Sequence, residues 1–180
     1  MTISETPIKG LLVFEPTVFK DERGYFFENF RLSWLEGRGV NTRFVQDNES
    51  KSDKNVLRGL HLQAPPFGQQ KLLRVVKGAI YDVAVDLRKK SPTYGEYYGL
   101  ELNEKNKAML YIPEGFAHGF CCIEDDTIVQ YKCSNYYNKA SEIGIAWNDP
   151  EININWPVSN PLISEKDLIL PSLDEFNSPF

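Results

Sequence analysis

Cysteine and histidine are scarce in this chain of 180 residues, which holds three of the first and two of the second. Cys121, Cys122 and Cys133 are odd in number and form no C-x-x-C pair, a pattern that argues against a disulfide framework. They read as buried thiols of a reduced, cytoplasmic protein. No segment approaches the roughly 18 continuous apolar residues that a spanning helix needs. The opening MTISETPIKG has neither the basic start nor the apolar stretch of a secretory signal. Positive charge is not in excess: a net charge of -5 speaks against a general nucleic-acid surface and leaves room only for a local basic pocket. Solenoid-length repeats, low-complexity runs and linkers are missing too, so residues 1–180 are expected to form one domain.

The hydrophobic fraction, 42%, is enough for a substantial core. Aromatic and β-branched residues dominate it, and Gly, Pro, Asn and Asp interrupt it every eight to twelve residues. That is the pattern of an all-β sandwich or barrel. Strands are expected over 8–14, 24–30, 42–46, 57–63, 71–77, 79–86, 97–102, 108–112, 119–122, 127–133 and 144–147. Ser33-Trp34-Leu35-Glu36 resembles a capping box and predicts a short helix over 33–38. Ser164-Glu165-Lys166-Asp167 predicts a similar helical turn near the C-terminus.

The stretch from Val56 to Lys77 carries the densest chemistry. Two strand-like runs flank Ala64-Pro65-Pro66-Phe67-Gly68, a link that no helix or central strand tolerates. Such a pair of strands can hold Arg58, His61 and Lys71 at the mouth of one cavity. A base beside two fixed cations suits an anionic substrate and a developing oxyanion. The alternative is that these lumen-facing positions are filler.

Other polar clusters carry two readings each. Asp21 to Glu28 is either a solvated turn entering core aromatics, or places Arg23 on a phosphate and Glu28 on a base edge. Gln46-Asp47-Asn48-Glu49-Ser50 either satisfies turn backbone or binds a polar ligand. The period-two run from Thr127 to Ser134 puts Val129, Tyr131 and Cys133 on one face. If that face is the lumen, the Tyr131 hydroxyl enters the cavity of His61; a buried tyrosine more commonly just closes a core. Tyr136 and Tyr137 follow in a loop, as a stacking platform or as rim residues.

Pro113-Glu114-Gly115-Phe116-Ala117-His118 has the P-x-G-x-x-H form of the second motif of the cupin superfamily of small β-barrels. In metal-binding cupins the first motif supplies an H-x-H pair and a following Glu. Here the matching place reads His61-Leu62-Gln63, an amide in place of the second histidine. Two nitrogens without a carboxylate fall short of the three protein ligands that a Zn or Fe centre normally has, so no metal site is expected.

Taken together, FKDERGYFFENF, FVQDNES, VLRGLHLQ, QQKLLRVVKGAIYDVAVDLRKKSPTYG, YIPEGFAHGF, VQYKCSNYY, WNDP and INWPVSNPLISEKD resemble the dTDP-4-dehydrorhamnose 3,5-epimerases of dTDP-rhamnose biosynthesis. The similarity covers nearly the whole chain. It implies a cupin-type β-barrel or jelly roll with short peripheral helices, a homodimer, and no cofactor or metal requirement. The implied substrate is dTDP-4-dehydro-6-deoxyglucose, whose C3 and C5 protons are acidified by the C4 ketone between them.

The resemblance also assigns roles. His61 matches the catalytic base, and Asp167 the carboxylate that orients it. Lys71 matches the cation near the C4 oxygen, and Tyr131 the acid that returns a proton from the opposite face. Arg23, Arg58 and His118 match phosphate and sugar contacts. Glu28, Gln46 and Asn48 match contacts around the nucleotide, and Tyr137 the residue that stacks on thymine; Glu142 and Lys166 also fall on binding positions. Arg23 and Glu28 are expected to reach the neighbouring subunit's site.

One departure is visible: Glu49 stands where the family often has histidine, and is expected either at a solvated position or just behind the residues that line the site. Three rival readings remain beside the 3,5-epimerase. They are a monoepimerase or an epimerase of another nucleotide-linked keto sugar, a non-catalytic nucleotide-sugar-binding cupin, and a metal-dependent cupin enzyme. An opposed acid and base weigh against the second, and His61-Leu62-Gln63 against the third.

Overall fold

The computed structural model describes all residues 1–180. Thirteen strands, two one-turn α-helices and one 3-10 turn (Lys139–Ser141) make up its regular structure. Every ladder between strands is antiparallel. The first sheet has six strands in the order β1 (Thr2–Glu5), β2 (Leu12–Glu15), β10 (Met109–Ile112), β7 (Lys71–Lys77), β12 (Thr127–Cys133) and β5 (Gln46–Ser52). The second has five, in the order β13 (Glu142–Gly144), β6 (Leu57–Gln63), β11 (Phe116–Cys122), β8 (Ala79–Asp86) and β9 (Tyr97–Asn103). The hairpin of β3 (Phe19–Asp21) and β4 (Gly24–Phe26) stands apart as an exposed two-stranded arm.

Three apolar layers explain why so many strands lack simple alternation. Between the sheets, Leu73, Val75, Ile80, Leu110, Phe120 and Val129 form the central core. Outside the five-stranded sheet, Leu62, Val83, Val85 and Ala117 are covered by Ile152, Trp156, Leu173 and Phe180 of the C-terminal segment. Outside the six-stranded sheet, Leu72, Met109 and Tyr111 pack under Phe30, Trp34, Leu35 and Phe44. Strands β8 and β11 are therefore buried on both faces and read as continuous apolar runs. Each fully buried aliphatic side chain contributes roughly 1.5–3 kcal/mol of transfer free energy.

The expected strands at 57–63, 71–77, 79–86 and 127–133 have the observed bounds. The expected strand at 42–46 does not form. The strand here is β5, whose inner residues Gln46, Asn48 and Ser50 are polar, while Phe44 packs on the outer core instead. Strands expected at 24–30, 8–14 and 144–147 are shorter or shifted, because Phe30 and Leu11 serve as packing residues outside the ladders. Strands β1 and β3 were not anticipated.

Helix α1 (Ser33–Glu36) starts one residue earlier than a capping box requires. Leu32 is its N-cap, Ser33 lies within the helix, and Gly37 ends it. The second helical turn, α2 (Glu165–Leu168), begins after Ser164 as expected, although the serine side chain caps nothing.

Candidate active site

Period-two alternation sends one face of each strand into the space between the sheets. One end of that space is filled by the central core. At the other end the inward residues turn polar: Gln46, Asn48 and Ser50 on β5, His61 on β6, Lys71 on β7, His118 on β11 and Tyr131 on β12. They surround a cavity of about 530 Å³ lined by Arg58, His61, Lys71, His118, Tyr131 and Asp167 among others. A second hollow of about 300 Å³ opens beside it, sharing His61, Lys71, Tyr131 and Glu142 and reaching Gln46 and Tyr137.

His61 Nε2 lies 2.7 Å from Asp167 Oδ1, and Asp167 is only 3% exposed. The carboxylate accepts, so Nε2 carries the hydrogen and Nδ1 keeps a free lone pair. Burial lowers the His61 pKa below its ordinary value, and Asp167 offsets part of that shift. The imidazole is therefore neutral near pH 7, the state a base needs. Asp167 reaches His61 because α2 packs against β6, and its second oxygen accepts from the Gly59 amide at 3.4 Å. Gly59 also lets β6 lie close against β11: its φ is +127°, and a Cβ there would sit 2.5 Å from Gly119 Cα.

Lys71 enters from the opposite sheet, in register with Cys133. Burial lowers its pKa, while Cys133, Asp82 and Glu142 favour the charged form. An ammonium so placed is a stronger acid and a stronger hydrogen-bond donor than one in water. Tyr131 is the reverse case: burial raises its pKa, and an Asn48 hydrogen bond and the Arg58 charge act against that rise. It is a protonated phenol at neutral pH.

His118 pairs with His61 across the β6–β11 ladder. Its Nε2 meets Asp82 Oδ1 at 2.8 Å, and both residues are buried. Asp82 was not anticipated as a site residue. Its signal is an acidic residue inside the apolar strand AIYDVAVD, since a buried carboxylate calls for a partner.

The periphery is held by side-chain bonds. Arg58 donates through Nε and Nη2 to Ser52 Oγ. Gln46 Nε2 donates to Asn48 Oδ1 at 3.0 Å. Tyr137 is exposed, and its hydroxyl donates to Glu142 Oε2 at 3.1 Å. Lys166 Nζ donates to Glu142 Oε1 at the same distance. Glu49 points out of the barrel and accepts from Gln130 Nε2, so its charge stays away from the cavity.

Two expected site residues are not brought in. Arg23 lies on the exposed arm, bonded to Asp21 at 2.6 Å. Glu28 follows the arm and is ion-paired with Arg31. Neither lines the cavity of this chain.

No group of three or more His, Cys, Asp or Glu side chains is arranged to hold a metal ion. Gln63, where metal-binding cupins have their second histidine, is engaged with main-chain groups. The three cysteines are free and buried, and burial pushes the Cys121 and Cys122 thiols up to about 11. No helix is long and apolar enough to cross a membrane.

A family model described as dTDP-4-dehydrorhamnose 3,5-epimerase matches residues 5–175. The chain is 53% identical over 169 residues to the dTDP-4-dehydrorhamnose 3,5-epimerase of Shigella flexneri, covering 93% of each chain. It superposes with a TM-score of 0.93 on the crystal structure of the enzyme of that name from Elizabethkingia anophelis, at 46% identity and with 97% of each chain covered. A TM-score of 0.94 relates it to dTDP-6-deoxy-D-glucose-3,5-epimerase from Legionella pneumophila in complex with dTDP-4-keto-L-rhamnose. That pair shares 42% identity over 98% of this chain and 94% of the other. The fold is the cupin-type β fold of these enzymes.

Proposed function

This chain belongs to the dTDP-4-dehydrorhamnose 3,5-epimerase family, and we propose that it inverts C3 and C5 of dTDP-4-dehydro-6-deoxy-D-glucose to give dTDP-4-dehydro-L-rhamnose. The observation that carries the mechanism is the placing of His61 and Tyr131 on facing sheets. A flat enolate between the sheets presents one face to each.

His61 Nδ1 takes the proton from C3 or C5. The C–H electron pair moves into a double bond to C4, and the carbonyl π pair moves onto the C4 oxygen. Lys71 donates to that oxygen, which is charged only after proton loss, so its stabilisation falls on the transition state. The carbonyl then re-forms as the carbon takes the Tyr131 proton from the other face. Imidazolium and phenolate remain, and exchange with water resets both. A single base working on one face would only restore the original centre.

Binding is assigned on the same basis. Arg58 and His118 take phosphate and sugar, Gln46 and Asn48 line the nucleotide side, and Tyr137 stacks on thymine, with Glu142 and Lys166 beside it. Arg23 and Glu28 serve the site of a second copy in a homodimer. The arm that carries Arg23 supports this reading, because its Phe19, Tyr25 and Phe26 are exposed. The 180 residues act as one cupin domain in the cytoplasm, without metal or cofactor; the free thiols agree with that compartment.

Proton NMR of dTDP-4-dehydro-6-deoxyglucose with the protein in heavy water tests the reaction. Deuterium is expected at both C3 and C5. Deuterium at one carbon would make the enzyme a monoepimerase, and none at either would reject a dTDP-keto-sugar epimerase. Light scattering of the eluted protein tests the dimer, and a monomer at working concentration would reject the shared site.

A further inference from the structure

We infer that Gln63 is a positioning residue for nucleotide recognition: its buried amide clamps the loop that presents Tyr137. The inference rests on the reading of Tyr137 as the platform for the base. Gln63 is 4% exposed at the end of β6. Its Nε2 donates to Phe67 O at 2.8 Å and to Tyr136 O at 3.2 Å. Its Oε1 accepts from the Asn138 amide at 2.6 Å. One side chain thus grips the main chain on both sides of Tyr137 and ties it to the turn after β6.

Residue 137 itself is held by the neighbouring strand end. The Tyr137 amide donates to Gln46 Oε1 at 3.0 Å. Three successive residues, 136 to 138, are therefore fixed by two glutamines, while Tyr137 as a whole is left 52% exposed. An exposed aromatic residue on a fixed backbone suits stacking, because little ordering remains to be done on binding. The chemistry also explains the amide at this position. Two donors and an acceptor at one end of a side chain match two carbonyls and one N–H; a neutral imidazole has one donor and one acceptor on separate nitrogens. Gln63 is then more than a lost metal ligand, and His61-Leu62-Gln63 joins a base to a loop clamp within three residues.

The test uses Gln63→Met, which keeps the side chain's length and removes its polar end. Calorimetric binding of dTDP is expected to weaken about tenfold, the size of one to two net hydrogen bonds. KM should rise in step, with kcat at saturation within about twofold. In a double-mutant cycle, Gln63→Met should add almost nothing to the affinity loss of Tyr137→Ala, since Gln63 acts through that ring. Unchanged dTDP affinity, additive losses, or a fall in kcat at constant KM would each overturn the clamp.

Hydrogen exchange of the free wild-type protein provides a measurement that no folding failure can obscure. The Tyr137 and Asn138 amides should be protected without nucleotide, and exchange at unprotected rates would reject the inference. A wild-type protein that neither binds dTDP nor exchanges protons on the keto sugar would instead overturn the proposed function, whatever the amides do.

Discussion

His61 and His118 face each other as paired residues on adjacent strands, and each imidazole holds a buried carboxylate, Asp167 or Asp82, through Nε2. The two pairs differ in where the carboxylate comes from. Asp167 rides on a helical turn outside the sheet, whereas Asp82 sits within the central ladder on β8. His61 is the partly exposed member, and His118 is 7% exposed. The first pair suits proton transfer; the second, buried on both sides, suits a fixed binding contact.

That difference predicts opposite kinetic splits. Asp167→Asn should lower kcat by about 10²-fold or more with little change in KM, through loss of orientation and of imidazolium stabilisation. Asp82→Asn should act mainly on KM. His61→Ala should abolish C3 and C5 exchange and leave dTDP binding largely intact. Steady-state kinetics with isotope exchange would detect a reversed split, which would move the base to His118.

Tyr131→Phe should separate the two halves of the reaction. The base is untouched, so loss of deuterium from substrate labelled at C3 and C5 should continue. Inversion should fall by about 10²-fold or more as the opposite-face proton disappears. If labelled protons leave and inversion proceeds at the wild-type rate, Tyr131 is not the acid.

Much of this arrangement is legible in the residues, for identifiable reasons. Strands β6, β7, β8 and β12 carry dense apolar or alternating patterns, and two of them deliver His61 and Tyr131 to one cavity as period two requires. Arg58, three residues before His61, reaches it through the irregularity in the β6–β11 ladder, which no pattern marks. Strand β5 is hard to place because its inward face is the polar site wall, so Gln46, Asn48 and Ser50 look like loop. The pairing of Asp167 with His61 spans 106 positions and came from family likeness, since no local rule connects them. Asp82 is inconspicuous as a lone acid among apolar neighbours. Arg23 and Glu28 lie off the cavity because the arm that carries the first and precedes the second stands outside the barrel.

Gly59→Ala should destabilise the protein by about 2 kcal/mol or more, through a left-handed φ and a clash with Gly119 Cα. For a chain of this size that lowers Tm by roughly 4–8 °C. Because Asp167 accepts from the Gly59 amide, kcat of the folded fraction should fall as well. A variant with wild-type Tm and kcat would show that the two strands can separate without cost to the base.

The pH profile of kcat/KM follows from the directions of three shifts. The base works only when neutral, and burial places the His61 pKa below its ordinary 6.5. Activity should therefore rise with pH through an apparent pKa below 6.5 and be complete by neutrality. On the alkaline side Lys71 and Tyr131 must both keep their protons. Burial lowers the first and raises the second, which moves the Lys71 limb toward lower pH than the Tyr131 limb, and the falling limb is expected to be that of Lys71. Two variants check the signs. Asp167→Asn removes a charge that holds the His61 pKa up, and should move the acid limb to still lower pH. Lys71→Arg puts a permanently charged group beside the C4 oxygen; whatever activity it retains should lose its alkaline limb at the old position and fall only where Tyr131 ionises. An alkaline limb unchanged in Lys71→Arg would mean that another group titrates there, and would remove Lys71 from the enolate oxygen.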